Sequence, residues 1–117
     1  YFYPKDDTPG CTIEACEFRD MDADAKKKGA VVLGVSPDDS ESHQKFAGKY
    51  SLQFPLLIDT GHAVAEKYGV WDQKKFMGKE FEGINRSTFV IGPDGKIKRA
   101  VYGVNPLGHA KDVLGKI

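Results

Sequence analysis

The amino-acid sequence predicts an α/β fold in which a mixed central sheet is flanked by helices. Short β-prone runs alternate with helical segments over the first two thirds of the chain, which is typical of parallel strands. Near the C-terminus, two further β-prone runs flank the turn sequence 92–95, which indicates a hairpin and therefore antiparallel strands. A chain of 117 residues fits one domain, 1–117.

The first stretch of the chain predicts a strand, a turn and the start of a helix. Tyr1–Tyr3 are aromatic and favour a strand, which Pro4 ends because it has no backbone N–H. Thr8 is a suitable N-cap, and Pro9 suits the first position of the helix. We expect this helix to continue to about Lys28.

The later elements follow from the same kinds of signal. The predicted elements are, in chain order, a strand at 30–35 buried on both faces, a helix at 43–50, a strand at 56–58, a helix at 61–68, strands at 86–91 and 96–102, and a helix from 105 to 117. Residues 70–85 lack a clear period and predict an excursion from the sheet, held by packing of Trp71, Phe76 and Phe81. This order of elements is that of a thioredoxin-like fold.

Composition excludes several classes of function. The chain carries 17 basic and 17 acidic residues, so no net charge favours nucleic acid or an anionic membrane. The longest apolar run, 30–35, is far too short to cross a bilayer. Two cysteines do not form a disulfide framework in a domain of this size, which favours a reducing, cytoplasmic location with thiols kept for reactivity.

The two cysteines lie on the first predicted helix. Cys11 falls in its first turn, where unpaired N–H groups and the helix dipole favour a thiolate; the alternative is a small buried apolar residue. Cys16 lies five residues later and therefore on another face, with the two Cα atoms about 8 to 9 Å apart. A disulfide needs less than about 7 Å. The two cysteines therefore either never form a disulfide or form one only when the first turns of the helix unwind. This arrangement suits a redox switch better than a permanent structural disulfide.

Several segments resemble those of peroxiredoxins. The pattern Pro4-x-x-x-Thr8-x-x-Cys11 resembles their active-site motif, and Cys11-Thr12-x-Glu14-Ala15-Cys16 is similar to the subgroup called bacterioferritin comigratory protein or peroxiredoxin Q. Further similar segments are 18–20, 34–36, 54–59, 68–71 and 83–91. The resemblance covers essentially the whole chain. It implies a thioredoxin-like peroxiredoxin domain whose N-terminal hairpin is missing, so we expect an N-terminally truncated domain.

The resemblance implies a peroxidase that reduces hydrogen peroxide and organic hydroperoxides. Cys11 would attack the peroxide and become a sulfenic acid. Cys16 would resolve it to a Cys11–Cys16 disulfide, which thioredoxin or a similar dithiol would reduce. Neither a cofactor nor a metal is expected, and the resembled subgroup implies a monomer or a weak dimer.

Four further groups are candidates for the peroxide site. Thr8 lies three residues before Cys11 and can place its hydroxyl beside the sulfur. Arg86 begins a predicted core strand; its pattern alone fits a surface strand end equally well, but its match to the family's arginine implies a guanidinium that stabilises thiolate and peroxide. The backbone N–H groups of Gly10 and Cys11 are candidate donors. Pro4, by resemblance, shields the site from water.

Other classes of function use different residue patterns. A non-catalytic redox sensor could use the same helix switch, with a slowly reacting Cys11. A dithiol oxidoreductase would normally carry Cys-x-x-Cys, which this sequence lacks. A zinc site needs four ligands, and a Cys–His hydrolase needs a histidine in a motif; His43, His62 and His109 are scattered and predict surface or helix residues.

Overall fold

The computed structural model describes the backbone of residues 1–117 and every side chain except that of Phe76. The elements are, in order, α1 (Pro9–Lys27), β1 (Gly34–Ser36), α2 (Ser40–Tyr50), β2 (Leu56–Ile58), α3 (Ala63–Lys67), β3 (Trp71–Phe76), β4 (Lys79–Ile84), β5 (Ser87–Ile91), β6 (Ile97–Tyr102) and α4 (His109–Gly115). The packing role predicted for Phe76 lies outside the described side chains. None of the described helices combines the length and apolarity needed to span a membrane.

The central sheet is joined at Phe2. β1 and β2 are parallel, whereas β5 and β6 are antiparallel. Phe2 forms a parallel bridge with Val35 and an antiparallel bridge with Ser87. The Phe2 N–H donates to Ser87 O at 2.8 Å, and the Tyr3 N–H donates to Val35 O at 3.0 Å. The first residues of the chain therefore run between β1 and β5, and the predicted mixed α/β sheet is confirmed.

The strand predicted at 30–35 is wrong in its extent and in its burial. Strand pairing covers only β1, and the Val31 side chain is 76% exposed. Val31 and Leu33 line an open groove of about 990 Å³, which also includes Val35 and Phe89. A continuous apolar run predicts a strand that is packed on both faces. Within the described residues, however, the start of this run borders the groove and is packed on one face at most.

The predicted excursion at 70–85 is a second hairpin. β3 and β4 pair from Trp71 with Ile84 to Phe76 with Lys79, around a turn in which Met77 and Gly78 both have positive φ, 52° and 77°. Such a two-residue turn matches the twist of a hairpin. Trp71 packs as predicted, with its ring stacked on a histidine ring at 3.8 Å between centroids. Phe81 is 47% exposed, so its predicted packing role is wrong.

The core that surrounds α1 is aromatic. The rings of Tyr1 and Phe18 stack at 4.5 Å between centroids, and Phe46 from α2 lies in the same buried cluster as Cys11. α4 packs on α1 and buries Ala110, Val113 and Leu114 in the part of the chain that the structure describes. The predicted last helix starts too early and extends too far, because Leu107 and Ile117 lie outside α4 and are exposed.

Candidate active site

The N-terminus of α1 presents Cys11 with free backbone donors. Thr8 is the N-cap residue, with φ −98° and ψ 156°, and Pro9 is the first helical residue, as predicted. The first intrahelical bond runs from the Thr12 N–H to Thr8 O at 2.8 Å, so the N–H groups of Gly10 and Cys11 precede the helical ladder. The Cys11 thiol is free and only 1% of the residue is exposed. Cys11 is thus a buried thiol at the positive end of a helix.

Arg86 lies directly before β5 and reaches the sulfur. Its Nη2 donates to Cys11 Sγ at 3.2 Å, and its Nη1 donates to Glu14 Oε1 at 2.7 Å. A Cβ atom on Gly10 would lie only 3.2 Å from Arg86 Nη2, so the absence of a side chain at Gly10 allows this close approach. The predicted residues Arg86, Gly10 and Cys11 therefore meet at one point, and Arg86 is a paired guanidinium.

Glu14 completes this array from the next turn of α1. Its side chain is fully buried, and Oε2 has no hydrogen-bond partner among the described residues. Burial raises the pKa of Glu14, against the opposing effect of Arg86. Burial would lower the pKa of Arg86, but the neighbouring Cys11 and Glu14 outweigh this effect and raise it. The guanidinium is therefore held in its charged form between a carboxylate and the sulfur.

Two further titratable groups face the site from outside α1. Burial and the charge of Arg86 lower the pKa of Lys74 on β3, whereas Cys11 acts in the opposite direction. Burial, followed by the charges of Glu14 and Cys11, raises the pKa of Tyr1, whose hydroxyl is buried and unpartnered among the described residues. Sequence reasoning gave no site role to Glu14, Lys74 or Tyr1. Only Glu14 carried a local signal, since an acidic residue three positions after Cys11 shares its helix face.

Thr8 and Pro4 flank the site less directly. The Thr8 hydroxyl donates to Lys5 O at 2.9 Å and does not cap the helix. Within the described side chains, no hydrogen bond joins this hydroxyl to Cys11, so the expected placement of Thr8 beside the sulfur is not seen as a contact. Its oxygen can still accept a hydrogen bond. Pro4 is half-buried and precedes the turn that leads to Thr8.

Cys16 lies on the same intact helix in a different environment. α1 is continuous through both cysteines, and both thiols are free. Regular helix geometry keeps their Cα atoms about 8 to 9 Å apart, beyond disulfide reach. Cys16 is half-buried whereas Cys11 is almost fully buried. The structure therefore separates the two thiols on different faces, as predicted from their spacing.

The groove of about 990 Å³ is separate from this cluster. It is lined by residues such as Val31, Leu57 and Phe89, and its lining includes neither Cys11 nor Arg86.

Comparison with known sequences gives a consistent family. The model of the AhpC/TSA family matches residues 1–100. A putative peroxiredoxin bcp from Coxiella burnetii is 49% identical over 117 residues, which are 100% of this chain and 78% of that protein. Peroxiredoxin Bcp from Bacillus subtilis is 48% identical over 114 residues, which are 97% of this chain and 73% of that protein.

Solved structures agree with this grouping and with the thioredoxin-like fold. Bacterioferritin comigratory protein from Xanthomonas campestris, a protein with alkyl peroxide reduction activity, matches with a TM-score of 0.94 and 41% identity, over 99% of this chain and 74% of that one. A peroxiredoxin Q mutant from Xylella fastidiosa matches with a TM-score of 0.95 and 40% identity, over 99% of this chain and 72% of that one. The chain therefore belongs to the AhpC/TSA family and, within it, to the group of bacterioferritin comigratory proteins, or peroxiredoxins Q.

Proposed function

We propose that Cys11 is the attacking thiol of this peroxiredoxin, which reduces hydrogen peroxide and organic hydroperoxides to water or alcohols. The observation that carries the proposal is the contact of 3.2 Å from Arg86 Nη2 to Cys11 Sγ. A guanidinium at that position stabilises the thiolate, which is the nucleophilic form of cysteine. Glu14 holds the other arm of the guanidinium at 2.7 Å and fixes its orientation.

The first step oxidises the sulfur by two electrons. The Cys11 thiolate attacks one peroxide oxygen, an S–O bond forms, and the O–O bond breaks. The leaving oxygen takes a proton and departs as water or an alcohol. Arg86 lies where it can stabilise charge on both sulfur and oxygen as the bond breaks. The N–H groups of Gly10 and Cys11 supply further donors, while Thr8 and Pro4 shape the entrance.

The second step converts the sulfenic acid of Cys11 into a disulfide. The first turns of α1 unwind, the Cys16 thiol attacks the oxidised sulfur, and the sulfenic oxygen leaves as water. A dithiol of the thioredoxin type then reduces the bridge by exchange, which returns both thiols and oxidises the reductant. The half-exposed position of Cys16 supports this role, because the resolving thiol must move toward an opened Cys11.

The proposal also includes the domain organisation, the oligomeric state and the cellular compartment of the enzyme. Residues 1–117 form one thioredoxin-like domain that acts as a monomer or a weak dimer in the cytoplasm. The two reactive thiols support a reducing compartment, because an oxidising one would hold them as a disulfide. Light scattering after size-exclusion chromatography tests the oligomeric state.

The first experiment follows the fluorescence of Trp71 after the reduced protein is mixed with one equivalent of hydrogen peroxide. We expect a rapid change with loss of both thiols, and no such change in Cys11→Ser. Reaction at the rate of an ordinary free cysteine would contradict the peroxidase and favour the alternative, a non-catalytic redox sensor. Cys16→Ser is the matched control, since it removes a thiol from the same helix and keeps Cys11.

A further inference from the structure

The loop that leads into α1 is fastened to α2 through Asp6. Its carboxylate accepts hydrogen bonds from the Tyr3 hydroxyl at 2.6 Å and from the Ser42 hydroxyl at 2.8 Å. The same Asp6 Oδ2 lies 2.7 Å from His43 Nδ1. The side chains of Asp6 and His43 are both almost fully buried. Asp6 therefore has three side-chain partners, two of which, Ser42 and His43, belong to α2.

The second ring nitrogen of His43 is also engaged. His43 Nε2 lies 2.9 Å from the carbonyl oxygen of Leu57 on β2. A carbonyl oxygen only accepts, so Nε2 carries a proton and donates it in this contact. His43 therefore links α2, β2 and the loop through both of its ring nitrogens. His43 lies on a helix, α2, which is one of the two positions expected for it, but its side chain is buried rather than exposed.

The backbone of the same loop is held as well. The Asp6 N–H donates to Asp38 Oδ2 at 2.7 Å, and the Ser36 hydroxyl donates to the same oxygen at 2.6 Å. A carboxylate oxygen of Asp6, one of Asp38 and a ring nitrogen of His43 lie within 4.8 Å of one another, which is close enough to coordinate a metal cation. Hydrogen bonds already engage these atoms, so the arrangement serves to fix the loop.

We infer that His43 is a positioning residue for the peroxide reaction. Its ring holds Asp6, which lies between Pro4 and Thr8 in the loop that begins α1. The inference rests on the proposed role of Cys11. Loss of the ring removes the contacts with Asp6 and with the Leu57 carbonyl; water enters, the loop moves, and the entrance above the sulfur loses its shape. A displacement of about 1 Å at such a place can reduce a rate about a hundredfold.

The test compares two reagents at pH 7 in a Cys16→Ser background, in which only Cys11 reacts. Hydrogen peroxide requires the shaped site, whereas iodoacetamide requires only an accessible thiolate. We expect His43→Gln to lower the rate constant for peroxide about tenfold or more and that for iodoacetamide about twofold or less. Lys45→Gln is the matched control on the same helix, because Lys45 is exposed and pairs only with Glu41 within the described residues. Both of its rate constants should stay within about twofold.

A milder variant and a spectrum cover the case in which His43→Gln does not fold. Ser42→Ala removes one hydroxyl donor from Asp6 and should lower the peroxide rate constant about threefold. In the unmodified protein, the ¹⁵N spectrum of the His43 ring should show a proton on Nε2, as the contact with the Leu57 carbonyl requires. A bare Nε2, or equal losses with peroxide and iodoacetamide, would overturn the inference. A parent protein without rapid peroxide reaction would instead overturn the proposed function, and the spectrum is independent of that outcome.

Discussion

The two cysteines of α1 show how one helix can give two thiols opposite surroundings. Cys11 is buried and accepts a hydrogen bond from Arg86 at 3.2 Å. Cys16 is half-buried, and the nearby Arg19 donates to Asp20 at 3.0 Å and to the carbonyl oxygen of Tyr50 at 2.7 Å. Five residues turn the helix by about 500°, so the two side chains leave its axis in different directions. Rotation along one element is enough to separate the two thiols to which we assign attack and resolution.

The different surroundings of the two cysteines also indicate which contacts must break before their sulfur atoms can form a disulfide. The turns between the cysteines carry Glu14, whose ion pair with Arg86 is buried at 2.7 Å. The pair of Arg19 and Asp20 is exposed, and such pairs contribute about 0 to 1 kcal/mol. A buried pair that loses one partner costs about 3 to 5 kcal/mol. In the proposed mechanism, the unwinding that Cys16 needs must therefore break this buried pair.

The largest expected effect comes from Cys16→Ser. Steady-state peroxide reduction supported by thioredoxin should be lost, because no intramolecular disulfide can form. The first reaction of Cys11 with peroxide should stay within about twofold of the parent rate, since the Arg86 contact does not involve Cys16. Stopped-flow fluorescence measures the first reaction, and mass spectrometry detects the sulfenic acid. Full turnover in this variant would remove Cys16 from the mechanism.

A smaller loss is expected from Arg86→Gln. The variant removes the cation that contacts Cys11, and the rate constant for hydrogen peroxide should fall about 100- to 1000-fold, as when one stabilising donor is removed from an oxyanion site. Arg99→Gln is the matched control, because Arg99 is a half-buried arginine that lies 3.6 Å from Asp112 and forms no hydrogen bond to Cys11 among the described side chains. A fall of less than about threefold in Arg86→Gln would place the source of Cys11 reactivity elsewhere.

Local signals in the sequence predicted one half of the site. Thr8 and Pro9 mark the start of a helix, so the first-turn position of Cys11 and the free N–H of Gly10 followed from residue types alone. The separation of Cys16 followed from helix geometry. The match to a family motif predicted Arg86, and the structure confirms its contact with the sulfur.

The other half of the site depends on tertiary contacts that no local pattern encodes. The charges of Arg86 and Cys11 act on the pKa of Lys74, which belongs to a hairpin at 70–85, and a Met–Gly turn is a weak hairpin signal. His43 is buried with its Nδ1 2.7 Å from the Oδ2 of Asp6, a residue 37 positions earlier in the chain. The apolar run at 30–35 predicted a strand buried on both faces, but Val31 is exposed. The prediction failed because an apolar pattern does not show which elements pack against the strand.

The cost of unwinding can be varied at Ile13, which lies between the cysteines and is exposed. Ile13→Gly and Ile13→Ala both remove the side chain, but glycine disfavours a helix by about 1 kcal/mol more than alanine. Disulfide formation after one equivalent of peroxide should therefore be about fivefold faster in Ile13→Gly than in Ile13→Ala. Quenched-flow trapping of free thiols measures it. Equal rates would mean that resolution does not require α1 to unwind.

The smallest expected effect concerns Glu14, the buried acidic residue that lies between Cys11 and Cys16 on α1. Burial raises the pKa of Glu14 above its ordinary 4.5. As the pH rises, the unfolded chain loses this proton first, so the parent loses stability relative to Glu14→Gln between the unfolded pKa and the raised folded pKa. Urea unfolding at several pH values from about 4 to 7 measures the difference in free energy of unfolding between the parent and Glu14→Gln. The other carboxylates contribute equally to both proteins and therefore cancel in this difference.

Glu41→Gln supplies the control for this titration, because it makes the same substitution at an exposed glutamate on α2. The sign of the Glu14 difference decides between two accounts of the first turns. If the parent loses stability relative to Glu14→Gln as the pH rises, the cost of burying the carboxylate exceeds its attraction to Arg86, and the helix opens more readily for Cys16. If the parent gains stability, the ion pair dominates, and opening must first break a net stabilising contact.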